Sequence, residues 1–373
     1  MPVDRTLADG LAQALVDLYA DAERAITADM ARRLRAGLRA PQGTEKLGAI
    51  NELRRAVQVI VARLDADLDG HVHQALTLAF ARGGQAALDE LARAGRLTDA
   101  QLAAVRAALP GAEAINRLVW TLTSTLRGTH LRILRWPLDA YREVIAATLP
   151  QTLLGTTTRL AAAQHAWDRL LDRGITGFVD RSGRRWQLAS YVEMAARTGT
   201  AQAAVQGHLD RLGTAGIDLV IVSDAPQECA RCRPWEGKVL HRGQRTEQVE
   251  HATRVGITVD VRVAGSVTEA VAAGLMHPNC RHSLSAFTPG ITELPRRGAT
   301  ADPEGDKARQ RLRELERRVR REKTKAAAAL DPAAARVHAA KVRQLQAQIR
   351  DHIDTAPTTL RRRREREQIG TAR

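Results

Sequence analysis

Ile217-Asp-Leu-Val-Ile-Val222, followed by Ser-Asp-Ala-Pro-Gln-Glu and then Cys229-Ala-Arg-Cys232, is the stretch that decides how this chain folds. The near-continuous β-branched run is the strongest strand candidate in the chain. Gly213 and Gly216 end the helix that precedes it. The strand delivers the chain directly to a cysteine pair. A second motif, His277-Pro-Asn-Cys280-Arg-His282, begins 45 residues after Cys232. Trp235 to Leu240 reads as a turn and a further strand, and Val267 to Leu275 as a short helix that ends in the second motif. Residues 174–290 are therefore expected to form a small α+β domain whose two halves a metal ion clamps together.

The chain has three cysteines, and all three lie in these two motifs. A Cys-x-x-Cys turn presents two sulfurs to one point. His277 and Cys280 repeat that spacing with mixed donors. Together they offer an S₃N set, which suits tetrahedral, structural zinc. His282 competes with His277 as the fourth ligand, and the spacing does not choose between them. Other readings stay open: Cys229 and Cys232 as a redox couple, or Cys280 as a buried thiol. Three thiolates and a histidine fill a tetrahedron, so the spacing favours a closed site over a catalytic one.

Working outward, residues 1–173 read as a bundle of helices. Leu11, Leu15 and Leu18 share a face, as do Leu53, Val57, Ile60, Val61 and Leu64. Breaks are expected at 40–43, at Ala81-Arg-Gly-Gly84, at Leu109-Pro-Gly111 and at Pro150. Asp65-x-Asp67-x-Asp69-Gly70 imitates the start of a calcium loop. Its twelfth position is Leu76, where a bidentate Glu belongs, so the stretch reads as an acidic cluster on a helix surface. Residues 175–180 and 184–188 read as a hairpin around Arg181-Ser-Gly183. Ser190 and Glu193 have capping-box spacing for a helix through Arg197, with a second helix expected from Thr200 to Leu212.

Residues 291–373 read as a basic helical or coiled-coil tail. Leu312, Leu315 and Val319 form one stripe, and Val342, Leu345, Ile349 and Ile353 another. Asp331-Pro332 between them supplies an N-cap and a proline at the first helical position. The pattern is that of a helical hairpin. The terminal Arg361-Arg-Arg-Arg364-Glu-Arg-Glu367 reads as too charged to pack. From residue 301 onward there are 20 Lys/Arg against 11 Asp/Glu, a net +9 of the chain's +15. Such a tail suits DNA or an acidic protein surface, although the interleaved Glu residues also fit a salt-bridged solvent face.

Aromatic residues make up only 3% of the 373 residues, so the core must come from Ala, Leu and Val, which favours close-packed helices. No apolar run is long enough for a membrane span. The opening residues, Met1 to Thr6, lack a signal-peptide core, and three cysteines fit a reducing compartment.

Four blocks occur in one order. They are Gly177-Phe-Val-Asp-Arg-Ser-Gly-Arg-Arg-Trp186, Tyr191-Val-Glu-Met-Ala-Ala-Arg-Thr198, Cys229-x-x-Cys232-x-x-Trp235-x-Gly237-Lys238, and Gly274-Leu-Met-His-Pro-Asn-Cys-Arg-His282. In this the chain resembles the phage minor capsid protein 2 family, related to Mu-F-like head morphogenesis proteins. The Arg-x-x-Glu-x-x-Val-Arg pattern from Arg313 is similar to that family's C-terminal region. The resemblance implies a structural component of a phage or prophage head, assembled in the host cytoplasm and retained in the virion. Implied partners are the portal and other head proteins, and DNA through the basic tail. No membrane, small-molecule substrate or turnover is implied. The alternative is a virion-carried zinc hydrolase, a nuclease or toxin-like effector. It needs an open metal position that this donor set does not leave. A DNA-binding regulator lacks helix-turn-helix or finger spacing. Lys238 lacks the upstream glycines of a phosphate loop.

Overall fold

The computed structural model describes residues 8, 10–39, 45–95, 97–108, 111–153, 158–174, 178–179, 185–225, 229–243, 249–252, 258–277, 280, 282–290, 292, 302–363 and 367–369. The described chain is mainly α-helical with a small α+β portion. Long helices come first: α1 (Gln13–Arg39), α2 (Glu45–Arg93), α3 (Asp99–Ala107), α4 (Ala112–Leu153) and α5 (Arg159–Arg173). A two-stranded pair, β1 (Phe178–Val179) and β2 (Arg185–Trp186), leads into α6 (Leu188–Thr214). The sheet region comprises β3 (Leu219–Val222), β4 (Val239–His241), β5 (Val249–Ala252), β6 (Thr258–Val261), β7 (Val263–Ser266), α7 (Val267–Ala272) and β8 (Leu284–Ala286). Two further helices follow it, α8 (Pro303–Ala328) and α9 (Pro332–Thr355). No described helix is long and apolar enough to cross a membrane.

Two compact units are interleaved along the chain. The first takes residues 1–12, 70–122 and 194–306, and the second takes 13–69, 123–193 and 307–373.

In the first unit the sheet order is β7-β4-β3-β8. β3 lies antiparallel to both neighbours, and β4 runs parallel to β7. β5 and β6 form a separate antiparallel pair. β3 is buried at every position. Val220 and Val222 join a core with Leu240, Leu284, Ala286, Leu209 and Leu212, whereas Leu219 and Ile221 pack with Val239, Val263 and Phe287. Cover on both faces is why this strand reads as a continuous apolar run rather than an alternation.

The expected break at 81–84 does not occur: α2 runs through it. A Cβ on Gly83 would sit 1.8 Å from the Ala204 carbonyl oxygen, and one on Gly207 would sit 2.1 Å from that of Phe80. These glycines let α2 and α6 approach backbone to backbone, and the packing outweighs their poor helix propensity. The expected pair of helices after Ser190 is likewise one helix, α6, and Ser190 lies inside it. The amide of Ala189, in the first turn, donates instead to Glu23 at 3.2 Å. Glu193 pairs with Arg320 at 2.9 Å rather than closing a capping box. Through Pro150 the chain also stays helical, since α4 extends to Leu153.

The second unit buries Leu15, Tyr19, Ile26, Met30, Leu53, Leu64, Leu126, Tyr141 and Trp167. The false calcium loop is helical, as expected. Its Asp65 and Asp69 both receive Arg127, at 2.8 and 3.1 Å. Asp65 also meets His130 at 3.4 Å, and Tyr19 lies 2.9 Å from the other ring nitrogen. Burial lowers the His130 pKa and raises that of Tyr19.

α8 and α9 form the expected hairpin. Both apolar stripes meet in one core, and Asp331 accepts from the Ala333 amide at its N-cap. His338 pairs with Glu322 and His352 with the Ala308 carbonyl, which fixes an antiparallel register. The terminal segment packs, contrary to expectation, among its described residues. Leu360 enters the hairpin core, Arg362 holds Glu367 with two hydrogen bonds, and the Arg363 amide donates to Glu316. Charge does not prevent packing here because the buried carboxylates already have their partners.

Candidate metal centre

The sheet register brings the two motifs together. β3 leaves the sheet at Val222, β4 enters it at Val239, and β8 begins at Leu284, opposite Val222. All three positions lie at one end of the sheet. Backbone hydrogen bonds continue past the strands: Gly237 donates to the Val222 carbonyl, and Ser223 donates to that of Ser283. The Ser283 amide in turn donates to the Ser223 hydroxyl at 2.9 Å. The loops that carry the motifs therefore start from adjacent, fixed points.

Each motif is a closed turn. The Cys232 amide donates to the Cys229 carbonyl at 3.1 Å, and the Cys280 amide donates to the His277 carbonyl at 3.0 Å. This shared geometry points the first and fourth side chains of each x-x motif to the same side. Arg233–Trp235 then makes one 3₁₀ turn into β4. Before the second motif, Ser266 and Glu269 form a capping box on α7. Gly274 has a φ of 109°, and Met276 has a φ of 58° immediately ahead of His277. A non-glycine residue in the left-handed region stores about 1 kcal/mol or more. Here it accompanies the turn that brings His277 to the site.

The five expected donors assemble into two overlapping triads: Cys229, Cys232 and His277, and Cys232, Cys280 and His282. Within each triad the donor atoms lie within 4.8 Å of one another. Cys232 belongs to both. Cys229 Sγ is 2.8 Å from His277 Nε2, Cys232 Sγ is 3.4 Å from Cys280 Sγ, and Cys280 Sγ is 3.3 Å from His282 Nδ1. Tetrahedral zinc separates its sulfur and nitrogen ligands by about 3.5–3.8 Å. The Cys232–Cys280 and Cys280–His282 spacings fall just short of that range, and the Cys229–His277 contact is shorter still. Cys232, Cys280 and His282 are buried, whereas Cys229 and His277 are half-buried. Soft donors, converging and largely shielded from water, fit a metal ion.

Glu236 was not legible as a site residue. Its carboxylate is 2.6 Å from His282 Nε2, so it holds the ring with Nδ1 turned toward Cys280. The only available signal was its place in the turn that follows the cysteine pair. Ligating histidines commonly give their other nitrogen to a carboxylate in this way. Hydrogen bonds from Cys232 and His282 bring the Cys280 thiol down to about 3, against the opposing effect of burial. The same sulfur–sulfur contact, with burial, raises Cys232. Burial works against the charged form of His282, but the contacts with Cys280 and Glu236 outweigh it and raise the pKa. The contacts among these donors thus favour the thiolate form of Cys280 and the protonated form of His282.

Two tryptophans have structural surroundings, each within its own unit. Trp235 packs against the core that contains Cys232 and Cys280, and Trp186 meets Tyr191 edge-on at 6.0 Å. Asp224 follows β3 in the turn region; Asp180 and Arg281 lie outside the described residues.

No curated protein and no solved structure matches this chain. Residues 4–354, which hold all five donors, match the family Phage minor capsid protein 2, and the chain belongs to that family.

Proposed function

We propose that this protein works structurally in phage or prophage head assembly, near the portal, and catalyses no reaction. The observation that carries this reading is the family match over nearly the whole chain. The portal is the proposed contact of the terminal segment, residues 357–373. Removing that segment should abolish co-purification with the portal while leaving binding to DNA unchanged.

We further propose that the Cys/His cluster holds one structural zinc, through Cys229, Cys232, Cys280 and a histidine. His282, buried and held by Glu236, is the favoured fourth ligand; His277 stands over Cys229 as the alternative. A bound zinc would fix the turn after β3 to the turn before β8. The cysteines and histidine would hold it, and Glu236 would orient the His282 ring. Metal analysis tests this: the purified chain should carry about one zinc, as a single closed site requires. His282→Asn should lose the metal and His277→Asn should keep it. The reverse result would assign His277, and a metal-free wild-type chain purified under reducing conditions would remove the site. Genetic complementation tests the role. Deletion should reduce infectious particles, and Asp224→Ala should restore them. Nuclease activity in the wild type that vanishes in a folded, non-complementing acid variant would establish the hydrolase instead.

A further inference from the structure

The C-terminal hairpin contains a cleft that the assembly reading does not use. Its volume is about 410 Å³, and it is lined by two helix faces of the hairpin and by Asp172 of α5. From α8 come Arg318, Arg321 and Lys325, with Glu322 among them; from α9 come Lys341, Gln344 and Gln348, with Leu345 among them. On each helix the four positions follow i, i+3, i+4, i+7 spacing, which is one face of a helix. Lys325 is buried and already neutralised, by Asp172 at 2.6 Å and Glu322 at 3.3 Å. Glu322 is further engaged by His338 at 2.7 Å. Both acids of the cleft thus have partners, and Glu322 also feels the charge of Lys341, which leaves the cations in excess. Arg318, Arg321 and Lys341 have no hydrogen bond or salt bridge among the described residues. Two guanidinium forks, an ammonium and two amide side chains converge on one opening.

We infer that this cleft is an anion site that takes phosphodiester groups of DNA. Like charges gathered in a concave, partly desolvated space repel, and an anion relieves that repulsion. The choice of anion follows from the lining. Among the described residues Leu345 is its only apolar side chain, whereas the centre of a protein–protein interface is apolar. Cations and amides without apolar company match the way proteins grip a nucleic-acid backbone, with no reading of sequence. The inference deepens the head-assembly reading and rests on it only for DNA being the polyanion at hand.

The test uses the full chain and a random-sequence duplex. The variant Arg318→Gln/Arg321→Gln/Lys341→Gln removes three cationic charges and keeps good helix formers. The control Arg336→Gln/Arg343→Gln/Arg350→Gln removes the same charge from exposed positions seven residues apart on α9. Each phosphate contact contributes about 0.9 to the slope of log affinity against log salt. The cleft variant should lose about 2–3 from that slope and bind at least about tenfold more weakly at moderate salt. The control should change little. Equal weakening by both variants would reduce the effect to bulk charge and overturn the site. Displacement of DNA by poly-glutamate as readily as by competitor DNA would assign the cleft to an acidic protein instead. Binding of inorganic phosphate with no binding of DNA would also overturn the assignment. A measurement that needs no variant keeps the test intact if the triple variant misfolds. DNA should protect Lys341 from an amine-reactive label while leaving the exposed Lys307 reactive, and equal labelling of both would count against the cleft. Loss of DNA binding by the cleft variant, in a protein whose gene deletion leaves particles normal, would separate a true cleft from a failed assembly role.

Discussion

Cys232 is the residue on which the metal centre turns, because it alone stands in both donor triads. Cys232→Ser should abolish metal binding whichever histidine completes the set, whereas replacing one histidine should discriminate between them. Zinc content and melting, with and without a chelator, read both outcomes; a Cys232→Ser chain that retains stoichiometric zinc would refute the shared-ligand assignment. Glu90 has a comparable role away from the metal. One oxygen takes the Ala286 amide of β8 at 2.9 Å, and the other meets fully buried His208 at 2.9 Å. Glu90→Ala leaves two groups without their partner and should cost about 2–4 kcal/mol. Glu90→Gln, which can serve only part of both contacts, should cost less. Denaturant unfolding of the two variants measures the difference.

At the scale of elements, the glycines of α2 and α6 carry the packing that local propensity opposes. Gly207→Val would drive a side chain into the Phe80 carbonyl, and its expected outcome is loss of the folded first unit rather than a graded loss of stability. Gly48, which has open space around it, tolerates Ala. The hairpin makes a different prediction. Ile349 is fully buried in its core, so Ile349→Ala should cost about 2–5 kcal/mol. Its acid response follows from two carboxylates. Burial opposes the charged forms of Glu322 and Glu367. Hydrogen bonds from His338 to the first, and from Arg362 and Gln346 to the second, outweigh it and hold both below the usual 4.5. A folded-state pKa below the unfolded value gives stability that is complete above the unfolded pKa and is lost as pH falls through the folded one. Melting temperature should therefore hold on the acid side down to about pH 5 and then fall, and Glu367→Gln should flatten that fall. An acid limb unchanged by the substitution would show that the pair contributes nothing to it.

On the scale of the whole molecule, the chain order and the compact units are different descriptions. Each unit draws on three separated stretches, and boundaries fall inside α2, α4, α6 and α8. The shift from mixed patterning to helical stripes after Pro295 motivates one prediction at this scale. Limited proteolysis should cut between 288 and 304, a stretch mostly outside the described residues. A resistant fragment that runs uncut through it would mean that the hairpin is not separable there.

The sequence by itself determined what short-range chemistry governs. The β-branched run of β3 and the Asp331-Pro332 helix start each express a preference within a few residues, as do the apolar stripes of α8 and α9. So does the x-x spacing of both ligand motifs, because a turn closed by one hydrogen bond fixes where its first and fourth side chains point. The helical reading of 65–70 belongs here too, since a missing twelfth-position Glu is visible in one loop length. What remained needed partners far away in the chain. Gly83 and Gly84 read as a break until Ala204 lay against Gly83. Ser190 read as a cap until Glu23 met the helix start. The terminal arginines read as unpackable until Glu316 met the Arg363 amide. Glu236 carried no signal until the register of β3, β4 and β8 set it beside His282. In each case a local preference of about 1 kcal/mol was outweighed by burial or by a satisfied polar group. Burial and long-range pairing exist only once the tertiary structure has chosen the neighbours.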